Sequence, residues 1–352
     1  MNKTYIIGAS AIGAQPVFDR ETPEHVVAYD KHPLCAIMPD LSRYIPPMKS
    51  RRMTRIVRLG IMSGMNAMER AAVTSPGAII VGTGDGCKHS TERFLTNMIE
   101  HDEQVPDPTA FIGSTHNSVA GQIALAAGSN VYNYTYLHRG LSFTSALLDG
   151  MLHLQEGTRN ILVGAVDVIT TDFITTQKLS GLWKQEVARN LDVLHSTDRG
   201  ALAGEGSAFF VLDSEPRGAS SVEVLSADLF FDPNGESVER RINEMLSGSQ
   251  RKPEDVDLLV LGYNGDAVED RAYDRVRALF PNAAIAAYKH LTGEYYTANA
   301  QGAWFTWSAL VSGSLPVECM LHGSPKGPFK FALHYDHFQM RDHSLVMMCV
   351  GS

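Results

Sequence analysis

Short apolar runs closed by glycine recur along the whole chain. "TYIIGA", "AIIVGTG", "NILVGAVDVIT", "SAFFVLD", "VDLLVLGYNGD" and "HSLVMMCVG" are rich in Val, Ile and Leu without polar alternation, the pattern of strands buried on both faces. Between them, "TRIVRLGIMSGMNAMERAAV", "STERFLTNMIEHD", "SFTSALLDGMLHLQEG" and "AYDRVRALF" repeat their apolar positions at helical spacing, which predicts helices with one buried face. Buried strands alternating with helices predict an α/β architecture with helices packed on mixed sheets. A polar joint, "DSEPRGASS" at 213–221, separates two blocks of similar make-up. This predicts an internal structural duplication with halves at 1–215 and 216–352, without a letter-by-letter repeat.

Composition narrows the partners. The 352 residues are 44% hydrophobic and 20% charged, which suits one large domain or two closely packed halves. A net charge of -9 argues against nucleic acid, whose binding needs a basic field to displace counterions. No apolar run approaches the roughly 20 residues that span a bilayer, and "MNKTYIIGAS" passes directly into a strand pattern, so a cytoplasmic protein without a membrane span is expected. Cys35, Cys87, Cys319 and Cys349 lack C-x-x-C spacing and read as reduced thiols rather than zinc ligands or disulfides.

Five fragments then point one way: "GTGDGCKHSTERFL" (82–95), "STHNSVAGQIALAAG" (114–128), "LVGAVDVIT" (162–170), "DRGALAGEGSAFFVLDSE" (198–215) and "YKHLTGEYYTANAQGAW" (288–304). In this order and approximate spacing the chain resembles the β-ketoacyl synthase family of the thiolase superfamily over nearly its full length. The resemblance implies a thiolase fold, with two pseudo-symmetric α/β halves in a five-layered αβαβα core that dimerises through its first half. It also implies chemistry in which a cysteine carries an acyl chain that is extended by a malonyl unit from acyl carrier protein, with no further cofactor.

The residues for that chemistry are missing. The nucleophile should lie at a helix start, where the dipole stabilises a thiolate. Counting from the flanking glycines places it between Leu137, His138 and Gly140, and "NYTYLHRGLSFTSALLDG" contains no cysteine. Decarboxylation needs two donors for the developing enolate oxygen. Tyr263, Asn264, Gly265 and Asp266 occupy the neighbourhood of the first, and Glu294 stands at the second, with the family's lysine present as Lys289. A carboxylate aimed at an enolate would raise the barrier by repulsion. The pattern resembles chain-length-factor subunits, the non-condensing half of a heterodimer with a catalytic ketosynthase. The "HRG-x-SF" motif of His138, Arg139, Gly140, Ser142 and Phe143 is similar to the aryl polyene and flexirubin pathway members. A homodimer in isolation is the alternative assembly.

Other readings attach to the same residues. Ser142, His138 and Glu294 suggest an acyltransferase or hydrolase site, against which Ser142 reads as the N-cap of "FTSALLDG". Glu294 is expected to pair with Lys289 or His138 in a buried network. His334, Asp336, His337 and His343 lack a compact ligand motif and are not assigned a metal. "GTGDG" reads as a crowded turn rather than a dinucleotide cradle, and Cys87 beside it as structural. Lys49, Arg51, Arg52, Arg55 and Arg58 form a basic cluster in an acidic chain. Of these, Arg51, Arg52 and Arg55 are candidates for docking an acidic carrier protein, against the reading of a solvated helix face.

Overall fold

The computed structural model describes residues 3–186, 189–218 and 220–351. Eleven strands form a single hydrogen-bonded order, β3-β2-β4-β5-β1-β6-β11-β10-β7-β8-β9. They are β1 (Tyr5–Ile12), β2 (Ala78–Thr83), β3 (Tyr132–Leu137), β4 (Ile161–Asp167), β5 (Gly206–Asp213), β6 (Val222–Phe231), β7 (Leu258–Leu261), β8 (Ala284–Ala287), β9 (Met320–His322), β10 (Phe331–Phe338) and β11 (Asp342–Val350). β2 runs parallel to β3 and β4, and β7 parallel to β8 and β10. The first five strands and the last six meet only where Tyr5 and Ile6 of β1 pair with Glu223 and Val222 of β6.

Three apolar clusters define the layers. Ile79 and Val81 of β2 face the helices Arg55–Arg70 and Ser118–Ala127 through Ile56, Leu59, Val119 and Ile123. Ala78 and Ile80, one residue out of phase, face the opposite side, as the two-residue period of a strand requires. There the helices Ser142–Gln155 and Ala298–Ser312 lie between the two sets of strands, packing Phe143, Leu147, Trp304 and Trp307 against Phe210, Val260 and Met348. Beyond the second set, the helices Val238–Gly248 and Asp270–Arg277 cover Leu259, Leu261 and Leu333 with Ile242 and Tyr273. The result is five layers, αβαβα. The 298–312 helix is buried on all sides, so it has no polar face and makes the middle layer. None of the helices among the described residues is long and apolar enough to cross a membrane.

The parallel strands bring their C-terminal ends to one place. β2 and β4 end at Thr83 and Asp167, β3 leads into residues 138–142, and β7 and β8 lead into Asn264 and Lys289. The segment 294–299 ties the halves together, since Thr297 Oγ1 donates to Asp167 (2.7 Å) and Asn299 Nδ2 to the Gly140 carbonyl (3.1 Å). Crevices beyond the carboxyl ends of strands are where α/β proteins place their chemistry.

Candidate functional site: a strained elbow and a closed ion cluster

Between β3 and the 142–155 helix the chain makes the sharp strand-to-helix turn that elsewhere presents a nucleophile. Within 137–140 the residue with left-handed backbone is Arg139, at φ 50. The left-handed residue of this turn is thus an arginine, between the candidates His138 and Gly140. Leu137 ends β3, and Gly140 is buried against Phe338, where an added Cβ would come within 2.5 Å of the Phe338 Cβ. The tight contact, rather than a positive φ, is what requires glycine there.

Ser142 does not cap its helix. It is the first residue of its helix, with Leu141 in the cap position, and no side-chain cap bond is made. Its buried Oγ accepts from the His138 N–H (2.8 Å) and lies within donating distance of the Thr83 carbonyl (2.9 Å) and the Arg139 carbonyl (2.8 Å). The hydroxyl therefore closes the elbow on itself. The His138 ring approaches Ser145 instead, with Nδ1 3.3 Å from its Oγ. Glu294 is engaged elsewhere, so the Ser142, His138 and Glu294 relay is not assembled. Ser142→Ala should lower stability by about 1–3 kcal/mol, the penalty for stranding buried polar groups, as read from its denaturant midpoint. An acyl ester that disappears in this variant without loss of stability would restore the hydrolase reading.

Glu294 is held by two close backbone approaches. Its N–H donates to the Leu202 carbonyl (2.7 Å) and its carbonyl accepts from Gly204 N–H (3.0 Å). Gly293 sits at φ 79, and a Cβ on Gly204 would lie 2.3 Å from the Thr292 carbonyl oxygen. The glycines of "GEG" and "TGE" are therefore the two sides of one contact. It aims the carboxylate inward, where Oε2 accepts from Lys289 Nζ (2.7 Å) and Asn264 Nδ2 (3.0 Å), and Oε1 from its neighbour Tyr295 N–H (3.1 Å). The pairing is with Lys289, not His138.

Lys289 has a second anionic partner, which the sequence reading missed. Asp336 on β10 lies 2.7 Å from Nζ, and the His337 carbonyl accepts the remaining donor at 3.4 Å. Asp336 also accepts from Tyr273 and Tyr288 hydroxyls, each at 2.8 Å. Asn264 donates its second amide hydrogen to Glu269 (3.1 Å). Lys289, Glu294 and Asp336 are all buried, so one ammonium serves two carboxylates out of reach of water. Burial acts to raise the Asp336 pKa, but the Lys289 charge and the donors around it hold it below the usual range. Burial raises Glu294 to about 7, against the attraction of Lys289 and with the help of Asp336 repulsion. The two shifts describe one shared cation: Asp336 keeps the charge and Glu294 takes up the proton.

The other candidates are scattered. His343 bonds Tyr335 and the Asp232 carbonyl, His337 approaches the Glu269 carbonyl, and His334 is buried among aromatic rings. Among the described residues no group of three or more His, Cys, Asp or Glu side chains converges as metal ligands. Cys87 is buried and its thiol is pushed up to about 11 by desolvation, which keeps it protonated and unreactive. The basic cluster is not one helix face: a short helix Pro47–Ser50, a turn and the helix from Arg55 divide it. Arg55 is withdrawn from docking, since it bonds the buried Glu205 and the Ala36 carbonyl. Arg51 and Arg52 remain exposed.

Residues 27–181 match the family described as beta-ketoacyl synthase, N-terminal domain. No curated protein matches the sequence. Among solved structures, the ishigamide ketosynthase/chain length factor has a TM-score of 0.82 at 18% identity, with both chains covered in full. A ketosynthase (ApeO) in complex with its chain length factor (ApeC) from Xenorhabdus doucetiae gives 0.77 at 15% identity, covering 99% of this chain and 98% of that one. A type II polyketide synthase ketosynthase with its acyl-carrier protein (AntDE:AntF) gives 0.78 at 15%, covering 99% and 100%. With its two sets of strands and five layers, this chain shares the thiolase fold of these ketosynthase structures, and its residues 27–181 match the beta-ketoacyl synthase N-terminal domain.

Proposed function

We propose that this chain is a chain-length-factor-type subunit that docks onto a catalytic ketosynthase and does not itself condense acyl units. One observation carries the reading: the turn from β3 into the 142–155 helix holds Arg139 at its left-handed position and no cysteine in residues 137–145, and Glu294 is closed against Lys289. A guanidinium cannot form a thioester, and both carboxyl oxygens of Glu294 are engaged inside the protein, by Lys289 and Asn264 and by the Tyr295 N–H. Preservation of the fold without its reaction favours a role in binding.

The β3 edge supports a docked partner. Among the described residues no strand pairs with its outer side, and Tyr132, Tyr134 and Leu137 are exposed large side chains along it. Tyr132 and Tyr134 stack at 6.1 Å. An unprotected, aromatic six-residue edge invites another chain; the opposite edge, β9, has three residues. Arg51 and Arg52 stand exposed near a groove of about 630 Å³ that Lys49 and Arg52 line together with Ile45, Val57 and Ile112. Their charge suits the acidic surface of a carrier protein delivering units to the pair.

The test is reconstitution with a candidate catalytic ketosynthase from the same organism and a malonyl-loaded carrier protein. The chain alone should yield no ketoacyl product, and the mixed pair should yield it. Robust product from the chain alone, lost on substitution within residues 137–145, would overturn the reading.

A further inference from the structure

Arg139 combines three features that packing does not require. Its backbone is left-handed, at φ 50, a conformation that costs a residue with a Cβ and is kept where surroundings over-determine it. The surroundings do so here. Ser142 ties the His138 N–H to the Thr83 and Arg139 carbonyls, Asn299 holds the Gly140 carbonyl, and Phe338 leaves no room beside Gly140. The side chain is exposed. It takes part in no ion pair or side-chain hydrogen bond among the described residues, whereas Arg43, Arg55, Arg159, Arg199 and Arg241 are all engaged with carboxylates. Glycine would fill this position without strain and with nothing lost inside the chain.

We propose that Arg139 is a recognition residue for the partner, pairing with an acidic side chain of the ketosynthase subunit that seats on the β3 edge. The inference rests on the docking reading above. Arg139 stands two residues beyond Leu137, at the end of the exposed β3 edge, close enough for a chain laid along that edge to reach its guanidinium. A cation buried against such a chain needs a carboxylate. The planar fork of arginine also fixes the carboxylate's direction, and hence the register of the two subunits. The strained elbow, no longer aiming a nucleophile, aims this fork.

The experiment measures complex formation between this chain and a candidate catalytic ketosynthase from the same organism, for the wild type, Arg139→Gly, Arg139→Lys and Arg139→Glu, with Tyr134→Asp as a control on the β3 edge. Arg139→Gly is expected to melt no lower than the wild type alone, because strain is relieved, yet to bind at least about thirtyfold more weakly. Lysine should recover part of the affinity and glutamate none, and the salt dependence of binding should flatten in the glycine variant. Wild-type affinity in Arg139→Gly, with Tyr134→Asp disrupting the complex, would overturn the assignment while leaving the docking reading intact. Unchanged affinity with a shortened product would show that Arg139 acts on the bound acyl chain instead of the partner and equally overturn it. Absence of any complex with the wild type would overturn both.

Discussion

Replacing Lys289 with methionine should cost this protein about 3–5 kcal/mol of stability, the range seen when one member of a buried ion pair is removed. Two carboxylates lose their only nearby cation: Glu294 at 2.7 Å and Asp336 at 2.7 Å from Nζ. The methionine fills the alkyl channel, so the loss is electrostatic and not a cavity. Asp336 would keep its two tyrosine donors and Glu294 its amide donors, which limits the damage without cancelling it. Adding Glu294→Gln to Lys289→Met should return part of the stability at a pH above about 8, where the carboxyl would otherwise have to ionise or take up a proton without its cation, and the difference from additivity measures the coupling. Denaturant titration with an unchanged slope is the readout. A Lys289→Met protein within about 1 kcal/mol of the wild type would mean that the cluster is not load-carrying in this form.

Glu294→Ala is a milder change than its position suggests. From sequence alone, its loss strands a buried lysine; in the structure Lys289 keeps Asp336. The difference is instructive about what a sequence carries. β2, β4, β5, β7 and β11 were legible because each is buried on both faces and reads as a continuous apolar run. β10 is buried along its whole length too, but its sequence FALHYDHF contains charges that argue against a central strand. They are tolerated because Lys289, Tyr273 and Tyr288 come to Asp336 from elsewhere in the chain, and no local pattern encodes that. β3 escaped for the opposite reason: at a sheet edge its YNYTYL alternates with exposed tyrosines, a pattern that resembles a polar loop until its partner strand is known.

The site was legible by type and blurred by register. The missing cysteine and the glutamate after Thr292-Gly293 could be read from composition within a short window. The elbow residue could not, because a positive φ at Arg139 is set by Gly140, Ser142 and Asn299 acting together. Ser142 shows the same limit. Serine at a helix start favours capping, but burial beside Thr83 and His138 gave its hydroxyl a different set of partners.

Glu294→Gln should change the pH dependence of stability more than its value at any one pH. In the folded chain the carboxyl is raised from 4.5 to about 7, so the folded state binds more protons than the unfolded state between those values. Stability contributed by this group is therefore fully present below about 4.5 and is lost as pH rises through about 7, amounting to on the order of 3 kcal/mol. Glutamine has no proton to lose and removes that fall. It also turns one donor toward the Tyr295 N–H, a penalty of about 1 kcal/mol that does not depend on pH. Other buried groups titrate in the same interval: Asp270 and Asp167 are raised to about 7 and about 6 by burial, and His290 and His334 are lowered to about 4 by burial. The histidines act in the opposite sense, favouring the folded state as pH rises from acid toward 6.5. All of these remain in both proteins and drop out of the difference. The stability of Glu294→Gln relative to the wild type should thus climb by on the order of 2–3 kcal/mol from about pH 5 to about pH 8, measured by denaturant titration at each pH. Parallel stability curves would show that Glu294 is ionised throughout, and that Lys289 neutralises both of its carboxylates in the folded chain.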